Sequence, residues 1–112
     1  MFKPILENAE EITDFIITYT SYSIDEEFVQ EYFFGCKAFL RKVSILDLRE
    51  EDENQHIKDE VKERRYEKLP IESMPPLIVE DGIVKDGHHR YRVAKKKDIK
   101  EMIIYDIVSA EI

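Results

Sequence analysis

The residues best suited to chemistry stand together at Asp86-Gly87-His88-His89-Arg90-Tyr91. A glycine lets the backbone turn sharply and approach a ligand closely. A helix beginning at His88 would present the positive end of its dipole there, a ready site for an anion. His88, His89 and Arg90 add donors within the first turn, and a guanidinium can grip two phosphate oxygens at once. Asp86, just ahead of the glycine, either caps the helix or holds a divalent cation bridging phosphate oxygens. Against this stands a plainer reading, an Asp-Gly turn with exposed donors. Adjacent histidines on a helix point about 100° apart, a poor geometry for a metal pair.

The elements that must position this turn follow from pattern. Leu77-Ile78-Val79 is a short apolar strand, Asp81-Gly82 a tight hairpin turn, and Ile83-Val84 the return. Lys85-Asp86-Gly87 makes a second turn into a helix from near His88 to about Lys97, with Tyr91 and Ala94 on its inner face, and Met102 to Val108 forms a closing strand. Upstream, Ala9, Ile12, Ile16 and Tyr19 recur at helical spacing. Ser23 to Glu26 reads as a capping box for a second helix that would bury Phe28, Tyr32 and Phe33 and stop at Gly35. From Phe39 to Leu48 the period changes to two, as in a strand. Asp47 to Glu63 is rich in acids, with Ile57 and Val61 as the thin stripe of a surface helix, and Pro70, Pro75 and Pro76 then break the chain. The expected order is helix, helix, strand, helix, strand, turn, strand, helix, strand.

The whole composition sets limits. The 112 residues suit one domain, and 43% hydrophobic content with 11% aromatics suits a packed core. A net charge of −8 disfavours broad binding to nucleic acid, which rests on basic surface. The one basic cluster, Lys95-Lys96-Lys97 with Lys100, sits toward the far end of the helix and reads as a solvated face. Cys36 is the single cysteine, so no internal disulfide and no cysteine clasp for zinc is expected. The start of the chain has no apolar signal-like run, and no stretch approaches the roughly 20 residues of a membrane span. A cytoplasmic protein with no membrane partner is expected.

Taken together, Pro75-Pro76-Leu77-Ile78-Val79, Asp81-Gly82, Asp86 to Ala94, Ile99 and Met102 to Ile107 resemble the second half of the ParB/sulfiredoxin superfamily. The resemblance covers about residues 69 to 108 and extends loosely back to the strand from Val43 to Leu48; residues 1–38 have no counterpart. It implies an α+β fold, a small mixed β-sheet flanked by helices. The expected organisation is a single domain, 1–112, made of an N-terminal helical extension (1–38) and a ParB/sulfiredoxin-like core (39–112).

Three branches of that superfamily differ at the motif. ParB partition proteins and CTPases read Gly-Glu-Arg-Arg and bind nucleotide phosphates; Gly87 and Arg90 match the outer positions, and no helix-turn-helix follows, so chromosome partition is not expected. Sulfiredoxins read Gly-Cys-His-Arg; His88 stands where their nucleophilic cysteine belongs, and Cys36 lies in a region read as helical, which excludes that thiol chemistry. In letters the motif is most similar to the branch that includes a free-serine kinase, which matches at all six positions from Asp86 to Tyr91. That branch implies a nucleotide at the turn and an upstream glutamate as base. The chain is much shorter than those kinases, so the match supports nucleotide binding more than serine phosphorylation.

The resemblance therefore implies ATP or CTP with Mg2+ as cofactors, held by Gly87, His88, His89 and Arg90, with Asp86 on the metal. Asp86, His88, His89 and Glu51 are the catalytic candidates, Glu51 standing for the acidic run Glu50 to Glu53. Such a run is also the ordinary solvated start of a helix. Lys62, Arg64 and Arg65 read as an ion-paired helix surface, and Tyr91 reads as core rather than a stacking platform. Phosphoryl transfer or NTP hydrolysis leads. A metal-dependent nuclease of ParB-like type is one alternative. A non-enzymatic phage or mobile-element interaction module is another, with the N-terminal helices docking a partner or forming a homodimer.

Overall fold

The computed structural model describes residues 2–19, 25–50 and 74–109. They form a mixed five-stranded sheet with helices on both faces, as the α+β expectation held. The strands are β1 (Ile5–Leu6), β2 (Cys36–Ser44), β3 (Leu77–Glu80), β4 (Ile83–Asp86) and β5 (Glu101–Ser109), in the spatial order β1-β2-β5-β3-β4. The helices are α1 (Ala9–Tyr19), α2 (Glu26–Tyr32) and α3 (His88–Lys96). β5 is the spine: it runs antiparallel to β2 from Cys36↔Ser109 to Ser44↔Glu101, and parallel to β3 from Leu77↔Ile104 to Val79↔Asp106.

The pleat sends alternate residues of each strand to opposite faces, and two cores result. On one face Ile78, Tyr105, Ile107 and Ala38 meet Ile12, Phe15 and Ile16 of α1 and Phe33 at the end of α2. On the other, Leu77, Val79, Val84, Met102 and Ile104 meet Tyr91 and Ala94 of α3. β1 and the first residues of β2 belong to this sheet, so the boundary drawn at 38/39 falls inside β2. Ile5-Leu6 is too short to show a period of two, which is why β1 was not foreseen.

Other expectations shift locally. Cys36 does not lie in a helix; it opens β2 and is buried. β2 ends at Ser44, whose hydroxyl accepts from Leu46 N–H at 3.2 Å and starts a 3-10 turn over Ile45–Asp47, ending the strand before Leu48. Ser23 lies outside the described residues. The N-cap of α2 is Asp25, whose side chain accepts from Phe28 N–H at 3.2 Å and places Glu26 in the helix's first turn. α2 does not bury Phe28 and Tyr32, which are 66% and 49% exposed. Residues 28 and 32, and 29 and 33, have the same spacing of four, so spacing cannot choose between the stripes; packing selects Val29 and Phe33. The helix expected between Asp47 and Glu63 lies mostly outside the described residues, as do Lys62, Arg64, Arg65 and Pro70. No described helix is long and apolar enough to cross a membrane.

Candidate functional site

Three local devices build the turn at Asp86–Tyr91. The first is the hairpin between β3 and β4, where Asp81 (φ 53°) and Gly82 (φ 79°) take the left-handed pair a two-residue turn requires. Gly82 also receives the preceding segment: its missing side chain leaves room for Asp47 C=O, which would lie 3.0 Å from a Cβ there. Arg49 N–H donates to Gly82 C=O at 2.9 Å, and Val84 N–H donates to Arg49 C=O at 2.8 Å. Residues 48–50 are thereby laid along β4, and Glu50 is delivered to the start of α3.

The second device is a register shift in the β3–β4 pair. Val84 lies opposite Val79, but Asp86 lies opposite Ile78. One residue of β4, Lys85, is therefore extra, as in a β-bulge, and Asp86 turns toward the face that Ile78 shares with α1 and α2. Asp86 lines a cleft of about 320 Å³ there, with Phe28, Val29 and Tyr32 of α2 and Lys85, whose Nζ stands 5.8 Å from the Tyr32 ring centre.

The third is Gly87, left-handed at φ 95°, which turns β4 into α3. A Cβ there would meet Leu77 Cδ2 at 2.7 Å and Arg90 Nη2 at 2.9 Å. As N-cap, glycine offers no capping side chain, and the first turn of α3 holds no acidic residue. The helical ladder begins with Tyr91 N–H to Gly87 C=O at 3.0 Å. The N–H groups of His88, His89 and Arg90 precede it, at the positive end of the helix dipole.

The side chains divide the work differently from what their order suggests. Arg90 is 2% exposed and turns inward. Its Nη1 donates to Pro75 C=O at 2.8 Å and Pro76 C=O at 3.1 Å, and its Nη2 to Asp86 Oδ2 at 3.3 Å. In this arrangement it clamps the Pro-Pro entry of β3 to the Asp86 turn, and those donors face protein rather than a ligand. His89 is buried. Tyr91 is core, as expected, and its hydroxyl donates to Leu48 C=O at 3.0 Å. Burial, and secondarily the negative charge of Glu50, raises the Tyr91 pKa above 10.0.

His88 stays at the rim beside Glu50, with Nδ1 3.0 Å from Glu50 Oε2. Arg92 grips the same carboxylate with both ends of its guanidinium, Nε to Oε1 at 3.2 Å and Nη2 to Oε2 at 3.0 Å. All three side chains are at least four-fifths buried. Of the acidic run, Glu50 is described and faces the turn; Glu51, Asp52 and Glu53 lie outside the described residues. Arg92 was not singled out from sequence, although it sits one helical turn after His88, a spacing that lets both reach one carboxylate. Among the described residues, no three His, Cys, Asp or Glu side chains converge as a metal cluster. Asp86 immediately precedes Gly87 and is held by Arg90.

Two solved structures of a pNOB8-like ParB N-domain are similar to this chain. One shows 28% identity and a TM-score of 0.56 over 64% of this chain, the other 25% identity and 0.56 over 79%. In both cases the match spans 30% of the solved chain's length. No protein-family model and no curated protein matches the sequence.

Proposed function

On the premise that this chain has a ParB-N-like fold, we propose that it binds the phosphates of a nucleotide, ATP or CTP with Mg2+, at the Gly87 turn, as an NTPase or phosphotransferase. The observation that carries this is the start of α3: a left-handed glycine without a capping side chain, followed by a first turn of His88, His89 and Arg90 and no acid. An anion there meets the helix dipole and backbone N–H groups, while Asp86 supplies a carboxylate for a bridging cation. The buried Arg90 supports the site by fixing Asp86 and the Pro75-Pro76 entry, and Glu50 with Arg92 closes the other wall.

Thermal unfolding with ATP, CTP, GTP and their diphosphates, with and without Mg2+, tests this. Ligand at a hundred times its dissociation constant adds about 2.7 kcal/mol, roughly 10 °C or more for a domain of this size. Asp86→Asn is expected to abolish the Mg2+ dependence of that shift. If no nucleotide raises the melting temperature of the wild-type protein, the proposal fails.

A further inference from the structure

The branch resemblance points to an acid of the 50–53 run as the base. For Glu50, the described member of that run, the side-chain geometry points to a different role. A carboxylate at neutral pH can only accept hydrogen bonds. Glu50 Oε2, 3.0 Å from His88 Nδ1, therefore requires the hydrogen on Nδ1. In the neutral ring this leaves the lone pair on Nε2, the ring nitrogen of His88 that makes no hydrogen bond to the described residues. Glu50 itself is occupied: its two oxygens take two bonds from Arg92 and one from His88, with the side chain 11% exposed. Both oxygens of this carboxylate already accept from protein donors, so its contacts are spent on orienting His88 and Arg92 rather than on a ligand.

We infer that His88 Nε2 is the proton acceptor of this turn and that Glu50 is its positioning residue, oriented in turn by Arg92. The inference rests on the reading that a nucleotide's phosphates sit at the Gly87 turn. The chemistry it adds is phosphoryl transfer to a hydroxyl, of water or of an alcohol. The hydroxyl oxygen forms a bond to the terminal phosphorus while the bond from that phosphorus to the bridging oxygen breaks. The hydroxyl proton passes to Nε2, and the nucleoside diphosphate leaves with the electron pair. The resulting imidazolium keeps its Nδ1–H on Glu50, whose charge stabilises it, and later releases the Nε2 proton to solvent. His88 thus stands in the first turn as an acceptor rather than as a further phosphate donor.

The first measurement needs no ligand. Long-range 1H–15N spectra of the neutral His88 ring are expected to show the Nδ1–H tautomer in the wild-type protein and a shift toward Nε2–H in Glu50→Gln. An Nε2–H ring in the wild type overturns the dyad, whatever binds at the turn. The second is release of nucleoside diphosphate from ATP or CTP with Mg2+. His88→Gln is expected to lower kcat by about 100-fold or more, and Glu50→Gln by about 10-fold, each with KM within about 3-fold. If nucleotide binds but the wild type shows no turnover, or His88→Gln turns over like wild type, the base assignment is overturned and the binding proposal stands. If no nucleotide binds, the phosphate reading itself is lost and the base role falls with it.

Discussion

The two faces of the sheet are closed by different chemistry. The α1/α2 face is sealed by apolar surface: Ile12, Phe15 and Ile16 over Ile78, Tyr105 and Ile107, with the Phe15 ring 4.9 Å from that of Tyr105 and 4.8 Å from that of Tyr19. The α3 face has an apolar floor as well, but the first half of α3 is anchored by polar groups. Arg90 ties β3 and β4 together, Tyr91 holds Leu48 C=O, and Arg92 with His88 holds Glu50. Apolar contacts are non-directional and tolerate repacking, whereas a buried guanidinium fixes the positions of the groups it bonds. Both faces cohere through apolar contact, and the α3 face in addition positions the turn.

The sharpest way to break this contrast is to remove the anchor of each face. Arg90→Ala leaves the Pro75 and Pro76 carbonyls and the Asp86 carboxylate without their guanidinium, an expected loss of about 3–5 kcal/mol. Ile12→Ala opens a cavity in the opposite core at an expected cost of about 2–5 kcal/mol. Equilibrium unfolding in urea measures both. They are expected to differ in partial rescue: Ile12→Val recovers most of the loss, while Arg90→Lys does not, because one ammonium cannot reproduce the planar fork across three acceptors. Recovery of most of the stability by Arg90→Lys would mean that the clamp is a charge effect and not a geometric one.

The same contrast explains what was legible in the sequence. The α1 core followed from Ile12 and Ile16, and α3 with its inward Tyr91 and Ala94 followed from periodicity and the Asp-Gly turn. These are positions where burial and spacing coincide. α2 and the burial of Phe33 followed from the sequence, but Phe28 and Tyr32 were placed inward wrongly. Phe28/Tyr32 and Val29/Phe33 are both apolar stripes on a short helix, and only tertiary packing separates them. On the α3 face, the motif residues were found by type, but their division of labour was hidden. Whether an arginine turns toward solvent or toward two proline carbonyls depends on residues fourteen and fifteen positions upstream. Glu50 reaches His88 only because Arg49 docks along β4, a bridge with no local pattern.

A smaller effect is expected where the faces meet. Gly87→Ala places a Cβ 2.7 Å from Leu77 Cδ2 and 2.9 Å from Arg90 Nη2, at a backbone angle alanine resists. Both neighbours are side-chain ends, but Leu77 and Arg90 are buried and have little room to give. The expected loss is about 2 kcal/mol. Displacing Arg90 also loosens Asp86, so amide exchange should accelerate in residues 86–90 more than in α1. Uniform acceleration over both faces would mean that the turn is not a separate unit of the fold.

The smallest effect compares one tyrosine from each face. Burial raises the pKa of both Tyr91 and Tyr105 above 10.0, with Glu50 adding to the rise at Tyr91 and Tyr19 at Tyr105. For an acid whose folded pKa is raised, the unfolded chain gives up its proton first as pH increases. The stabilising contribution is therefore complete below about pH 10 and is lost as pH rises from there through the folded value. Both tyrosines should make the protein less stable in alkali, and Tyr91→Phe and Tyr105→Phe should each flatten that decline. Glu50→Gln separates the faces: removing the charge beside Tyr91 lowers its titration midpoint in ultraviolet difference spectra and leaves that of Tyr105 in place. Equal movement of both midpoints would show that Glu50 acts through global loosening and not through its position at the start of α3.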